Sequence, residues 1–269
     1  MLLPLLLVLG QAPDAGSEPT SPEPTTPAQE LINRTTESEY VEQLLDDGKH
    51  VRFGTKENGP VHVWRPRSYR ADTAVTVVYL HGFFTSVDQA MREHQLTAQF
   101  RDSGRNALFI IPEARSWRTD PVFWPDLEKL LTAVEQRLKL KRPKGPIVLM
   151  GHSGAYRTIA GWLPHENVTQ VLLVDGLYGN ETDFKQWLDS PPAPRQLVLV
   201  GFDTQQRAEW LLKKRSASVQ LDTLPWLYDE LPPAIRGAAL VSVQSERLDH
   251  MQLVTDGRLL PWLLHAFRR

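Results

Sequence analysis

Ile147-Val-Leu-Met-Gly-His-Ser-Gly-Ala155 is the stretch on which the reading of this 269-residue chain turns. Ile147 to Met150 follows Gly145-Pro146 as an unbroken apolar run, the pattern of a strand buried on both faces. It passes into Gly151-His152-Ser153-Gly154 and then straight into a helical stretch, 154 to 163, closed by Pro164. A serine between small residues at a strand-to-helix junction suits a sharp turn with a strained tip, because bulky flanking side chains would clash there. At that tip the hydroxyl meets the amides and dipole of a helix N-terminus, which favour developing negative charge. Residue type, spacing and context together describe a serine nucleophile on an elbow, G-x-S-x-G, with Ala155 in the last place.

Outward from this turn the chain alternates strands and helices. Towards the N-terminus, Ala107 to Ile111 and Ala74 to Leu80 are further apolar runs of strand length, separated by a helix over 87 to 103 that ends at Gly104. Val61-His-Val-Trp64, after Asn58-Gly59-Pro60, reads as a hairpin strand, and 30 to 47 as a first helix carrying Leu31, Tyr40, Val41, Leu44 and Leu45. Leu127, Leu130, Leu131, Val134 and Leu138 recur at helical spacing within 124 to 140. Beyond the elbow come strands at Val171 to Val174, Leu197 to Val200 and Ala239 to Val243, with helices over 182 to 188, 205 to 215 and 256 to 267. Such alternation implies a mostly parallel sheet with helices on both faces, an α/β class, as one domain over 29–269.

From about residue 60 onward the sequence resembles the α/β-hydrolase family, on the Gly151-His-Ser-Gly-Ala155 elbow and on Tyr79-Leu-His-Gly-Phe-Phe84 at the end of an earlier strand. The resemblance is to serine esterases and peptidases of bacterial secreted type. It implies that the second loop supplies one oxyanion amide, from Phe83 or Phe84, and that Gly154 supplies the other. It also implies a general base in the loop before the last helix, where Ser245-Glu-Arg-Leu-Asp-His250 stands. A serine hydroxyl needs such a base within hydrogen-bond reach. Of the eight histidines, His250 is the one in that place; His81 and His152 belong to the two motifs. For the triad acid the family pattern offers Asp203, in Gly201-Phe-Asp-Thr204, or one strand earlier Asp175, in Val174-Asp-Gly-Leu-Tyr-Gly179. Leu173 to Gly179 resembles a bacterial subgroup that carries its acid there, so Asp175 ranks first, Asp203 second, and Asp249, beside His250, third.

Composition narrows the field. There are no cysteines, which removes thiolate catalysis, disulfides and cysteine-bound metals, and no metal-ligand spacing, phosphate loop or dinucleotide fingerprint occurs, so no cofactor is expected. A net charge of −2 with interspersed signs gives no footprint for nucleic acid, and the run Lys139-Leu-Lys-Arg-Pro-Lys144 reads as a solvated helix end. No apolar stretch is long enough to span a bilayer. Residues 1–12, with Leu2 to Leu9 apolar, read as a signal peptide, and Pro/Ser/Thr-rich 13–28 as a disordered tether, which implies a secreted or periplasmic protein; the alternative is a cytoplasmic one with a frayed tail. The expected partner is a small-molecule or peptide acyl compound. No insertion is long enough for a lid domain. Trp117 to Trp124 and Leu224-Pro-Trp-Leu-Tyr228 either wall the site or fill the core, and Arg115 and Arg118 either meet an anionic group or pair on the surface. Two other uses of the scaffold stay open: an inactive binding protein, and an acyltransferase with the same triad.

Overall fold

The computed structural model describes residues 25–34, 39–191, 194–215, 217–225 and 231–267. The expected signal peptide, the tether as far as residue 24, and Trp226, Leu227 and Tyr228 lie outside them. Ten strands form one mixed sheet: β1 Tyr40–Leu45, β2 Gly48–Phe53, β3 Val61–Pro66, β4 Val75–Leu80, β5 Ala107–Pro112, β6 Ile147–His152, β7 Val168–Val174, β8 Gln196–Gly201, β9 Ser218–Leu221 and β10 Leu240–Gln244. Their order is β1-β2-β3-β5-β4-β6-β7-β8-β10-β9. The first three strands are antiparallel and join β5 antiparallel, whereas all pairings from β5 to β9 across the sheet are parallel.

The sheet is buried on both faces, with side chains alternating between two cores. Val78 and Leu80 of β4 and Leu149 of β6 face one core, together with helices α4 Leu127–Leu138, α5 Tyr156–Trp162, α6 Glu181–Asp189 and α7 Gln205–Lys213. Val77 and Tyr79, with Val148 and Met150, face the other, beneath α2 Val87–Glu93, α3 Leu96–Asp102 and the C-terminal α10 Leu259–Ala266. This period-two switch is what sets the parallel strands in register.

Three expectations need correction. The helix over 30–47 is a short α1, Pro27–Arg34, followed by strand β1; residues 35–38 lie outside the described ones. Asp46 and Asp47 both hold positive φ (49° and 56°) in the two-residue link that pairs Leu45 with Gly48, so the chain folds back instead of winding on. Gly48 leaves room for Trp64: a Cβ there would meet the indole at 2.3 Å. The helix over 87–103 is two helices, α2 and α3, broken at Gln95 (φ 48°), where the buried Gln99 side chain donates to the His94 carbonyl at 2.6 Å. The final helix begins at Leu259, preceded by a one-turn α9, Gln252–Thr255. Strand β2, the short edge strand β9 and the one-turn helix α8, Pro233–Gly237, were not expected.

Candidate active site

Ser153 sits at the end of β6 with φ +52°, in the left-handed region that a side chain adopts only under constraint. Its surroundings supply the constraint. A Cβ at Gly82 would lie 2.7 Å from Ser153 Cβ, and a Cβ at Gly154 would lie 2.7 Å from the Phe83 ring. A Cβ at Gly151 would meet Ile159 at 2.5 Å and the Ala155 methyl at 2.9 Å. The alanine in the last place of the motif therefore fills space that the first glycine leaves open. Ser153 to Ala155 form a tight 3-10 turn leading into α5.

His250 follows β10 in a loop closed by the buried Ser245, whose hydroxyl donates to the Leu248 carbonyl at 2.7 Å. Its Nδ1 donates to Asp175 Oδ2 at 2.7 Å, leaving Nε2 as the other ring nitrogen. Asp175, at φ +40° just past β7, has no exposed surface. Its Oδ1 accepts from the amides of Phe202 (2.9 Å), Asp203 (2.9 Å) and Thr204 (3.0 Å) and from the Thr204 hydroxyl (2.9 Å). Burial alone would raise the pKa of this carboxyl; the bonds from His250 and the 202–204 turn outweigh it and bring the value down to about 2. The geometry thus pairs Asp175 with His250. The Asp203 carboxylate is exposed and accepts from the Tyr178 hydroxyl at 3.4 Å, while its amide serves Asp175. Asp249 turns away from the ring, its Oδ1 accepting from the amides of Met251 and Gln252.

The fold also gathers Asp175, Asp203 and His250 into a group whose ligand atoms lie within 4.8 Å of one another, which the sequence spacing did not suggest. The oxygens of Asp175 are already taken by His250 and the four donors of the 202–204 turn. That pattern serves an imidazole better than a cation.

His152 is buried. Its Nε2 donates to the His250 carbonyl at 3.0 Å, and the two rings lie 4.5 Å apart. Burial first, then the neighbouring His250 and His94, push His152 down to about 3, so its ring stays neutral at ordinary pH. Burial, with the Asp175 and Asp203 carboxylates nearby, raises the pKa of the Tyr178 phenol, which lies 3.5 Å from His250 Nδ1.

The loop after β4 crosses the elbow. The Phe84 amide donates to Ser116 O at 2.7 Å and is thereby occupied; the Phe83 amide has no partner among the described residues. Gly154 lies in the first turn of its helix, where amides lack an intrahelical acceptor. His81 anchors this loop from beneath: Nδ1 lies 2.7 Å from Gly82 O and Nε2 2.7 Å from Glu113 Oε1, with both side chains fully buried. Glu113 also accepts from the Val87 amide at the start of α2, at 3.2 Å. The sequence reading passed over Glu113, although its place just past a buried strand, at the edge where sites form, was a usable signal.

The remaining candidates divide. Arg115 donates from Nε to Asp120 O at 2.6 Å within its own loop, and Arg118 is exposed. Trp124 and Phe123 belong to the core, whereas Trp117 stands out at the surface.

No protein-family model matches this chain, and no curated protein sequence matches it. Solved structures do. An S-formylglutathione hydrolase from Agrobacterium tumefaciens is 12% identical with a TM-score of 0.50, over 85% of this chain and 99% of that one. A serine-to-alanine mutant of the feruloyl esterase module from Clostridium thermocellum, complexed with sinapinate, is 11% identical with a TM-score of 0.53, over 91% and 95%. A fluorophosphonate-binding serine hydrolase from Staphylococcus aureus, with substrate bound, is 13% identical with a TM-score of 0.51, over 84% and 98%. By sheet order, flanking helices and these likenesses, the chain has the α/β-hydrolase fold.

Proposed function

We propose that this chain is a serine hydrolase that cleaves a carboxylic ester through an acyl-enzyme on Ser153. The observation that carries the reading is the 2.7 Å bond from His250 Nδ1 to a wholly buried Asp175, in a loop whose His250 ring lies 4.5 Å from that of His152, the residue before a serine held at positive φ. The proton on Nδ1 leaves Nε2 unprotonated to act as base. Ser153 Oγ attacks the ester carbon while Nε2 takes the hydroxyl proton. The carbonyl electron pair moves to oxygen, then returns as the alkoxide leaves, and His250 hands that proton to the departing alcohol. Water repeats the sequence on the acyl-enzyme, releasing the acid. The amides of Phe83 and Gly154 receive the oxyanion, each worth roughly 3 kcal/mol; the Phe84 amide, bonded to Ser116, is not used. Esterase and serine-hydrolase chemistry in proteins of similar fold supports the reading.

The test is covalent labelling by a fluorophosphonate. The wild type should label, and Ser153→Ala and His250→Ala should not. A folded wild type that stays unlabelled, and turns over neither acetyl ester nor acetyl amide, would turn the protein into a binding scaffold. We propose further that residues 1–12 direct export and that the expected tether, 13–28, is shorter than its composition suggests, ending before α1 opens the single domain at Pro27. N-terminal sequencing of the mature protein in the exported fraction checks this.

A further inference from the structure

Outside edge strand β1, the large apolar side chains exposed among the described residues gather on one face. Phe84, Trp117, Tyr178, Phe202 and Met251 each follow the carboxyl end of a strand (β4, β5, β7, β8 and β10), the edge that carries Ser153; only Trp210 lies elsewhere, on α7. The cavities lined by Leu224, Leu248 and Trp262, and by His50, His62 and Asp88, do not include Ser153.

Two of these residues are built in a way that folding alone does not reward. Phe84 holds φ +65°, a conformation that favours glycine, yet its ring is 68% exposed and so recovers little by burial. The ring meets Trp117, itself 43% exposed, edge to face with centroids 4.6 Å apart. Both are anchored through the backbone. The Phe84 amide is bonded to Ser116 O, and the buried Asp120 carboxylate accepts from the amides of Ser116 and Trp117 at 2.9 Å each and from the Ser116 hydroxyl at 3.1 Å. One residue before Phe84, the Phe83 ring packs against Gly154 of the elbow. Backbone strain spent on displaying an aromatic ring beside a nucleophile points to a ligand contact.

We propose that Phe84 and Trp117 form a preorganised platform for a planar aromatic group of the substrate, so that the preferred esters are aromatic. The inference rests on the serine-hydrolase reading of Ser153. An aromatic ring offered to this pair gains edge-to-face or offset-stacked contacts that a saturated ring of similar size does not. The group is reached from either side of the ester bond, and the experiment separates the two.

The measurement is kcat/KM for three esters. Methyl 3-phenylpropanoate places the ring on the acyl side, benzyl acetate places it on the alcohol side, and methyl 3-cyclohexylpropanoate is the saturated control. In the wild type at least one aromatic ester should exceed the control. In Trp117→Leu and Phe84→Leu its advantage should fall about tenfold, the size of one aromatic contact, and Trp117→Phe should restore most of it. Phe84→Gly, which relieves the positive φ, should keep or raise Tm while losing the same advantage. An active wild type without aromatic preference, or a preference that survives both leucine variants, overturns the platform. A wild type that neither labels with fluorophosphonate nor hydrolyses any of the three overturns the Ser153 reading, and the platform with it.

Discussion

Asp175 and Thr204 are bound twice over: Oδ1 of the aspartate accepts from both the amide and the hydroxyl of the threonine, at 3.0 and 2.9 Å. With the Phe202 and Asp203 amides the turn after β8 becomes a socket for a carboxylate that belongs to β7. The socket fixes one oxygen and leaves Oδ2 aimed at His250.

Replacing Asp175 by Asn exchanges that acceptor for an amide and favours the wrong imidazole tautomer. Turnover of an acetyl ester should fall by roughly three to four orders of magnitude. Asp203→Asn, which keeps the backbone amide and loses an exposed carboxylate, should cost less than about tenfold. Steady-state kinetics on the two variants decide the acid.

The same carboxyl contributes to stability with a defined sign. Its folded pKa of about 2 lies below the ordinary 3.8, so the contribution is present above pH 4 and is lost as pH falls through 2. The shift corresponds to about 2 kcal/mol. Urea unfolding of wild type and Asp175→Asn should show a stability gap that narrows by about that amount between pH 4.5 and pH 2.

Three buried histidines set a second window. Burial is the first cause in each case, and it holds His50 and His94 down to about 4 and His152 to about 3, against an ordinary 6.5. The unfolded chain takes up these protons first, so the contribution is complete above pH 6.5 and is lost as pH falls towards 3. At pH 5 the loss is about 2 kcal/mol for each. Unfolding midpoints should therefore drop between pH 7.5 and pH 5, before the carboxyls titrate; a flat profile would contradict the neutral, buried rings.

Glycine positions around the elbow should respond unequally. Gly82→Ala brings a methyl to 2.7 Å from Ser153 Cβ and should reduce labelling by fluorophosphonate about a hundredfold through misplacement alone. Ala155→Gly only empties space beside Gly151. It should lower stability by about 1 kcal/mol and leave the labelling rate within a factor of three or so.

Much of this architecture was legible because buried parallel strands announce themselves as continuous apolar runs: β4, β5, β6, β7 and β8 all do so. The opening hairpin was not. Tyr40, Val41, Leu44 and Leu45 fit a helical stripe as well as a strand, and β1 is exposed along its whole length, so no burial pattern marks it. Ser153 and His250 are candidates that local context alone suggests. Asp175 ranked ahead of Asp203 only on a resemblance, because both follow strands at the same edge of the sheet. Which of the two meets His250 depends on backbone direction: at φ +40° Asp175 turns its side chain into the 202–204 amides and towards the ring, and that information lies in the pairing of β7 with β8.

Ser153 and Asp175 thus share a dependence on strands that are far apart in the chain. Each occupies a backbone conformation costing roughly 1–2 kcal/mol in isolation, and each is held only once β6, β7 and β8 lie side by side. The two conformations therefore come into being only with that three-strand pairing and last as long as it does. Any change that slips β7 against β8 by one residue would disarm both positions at once, however far it lies from them in the chain.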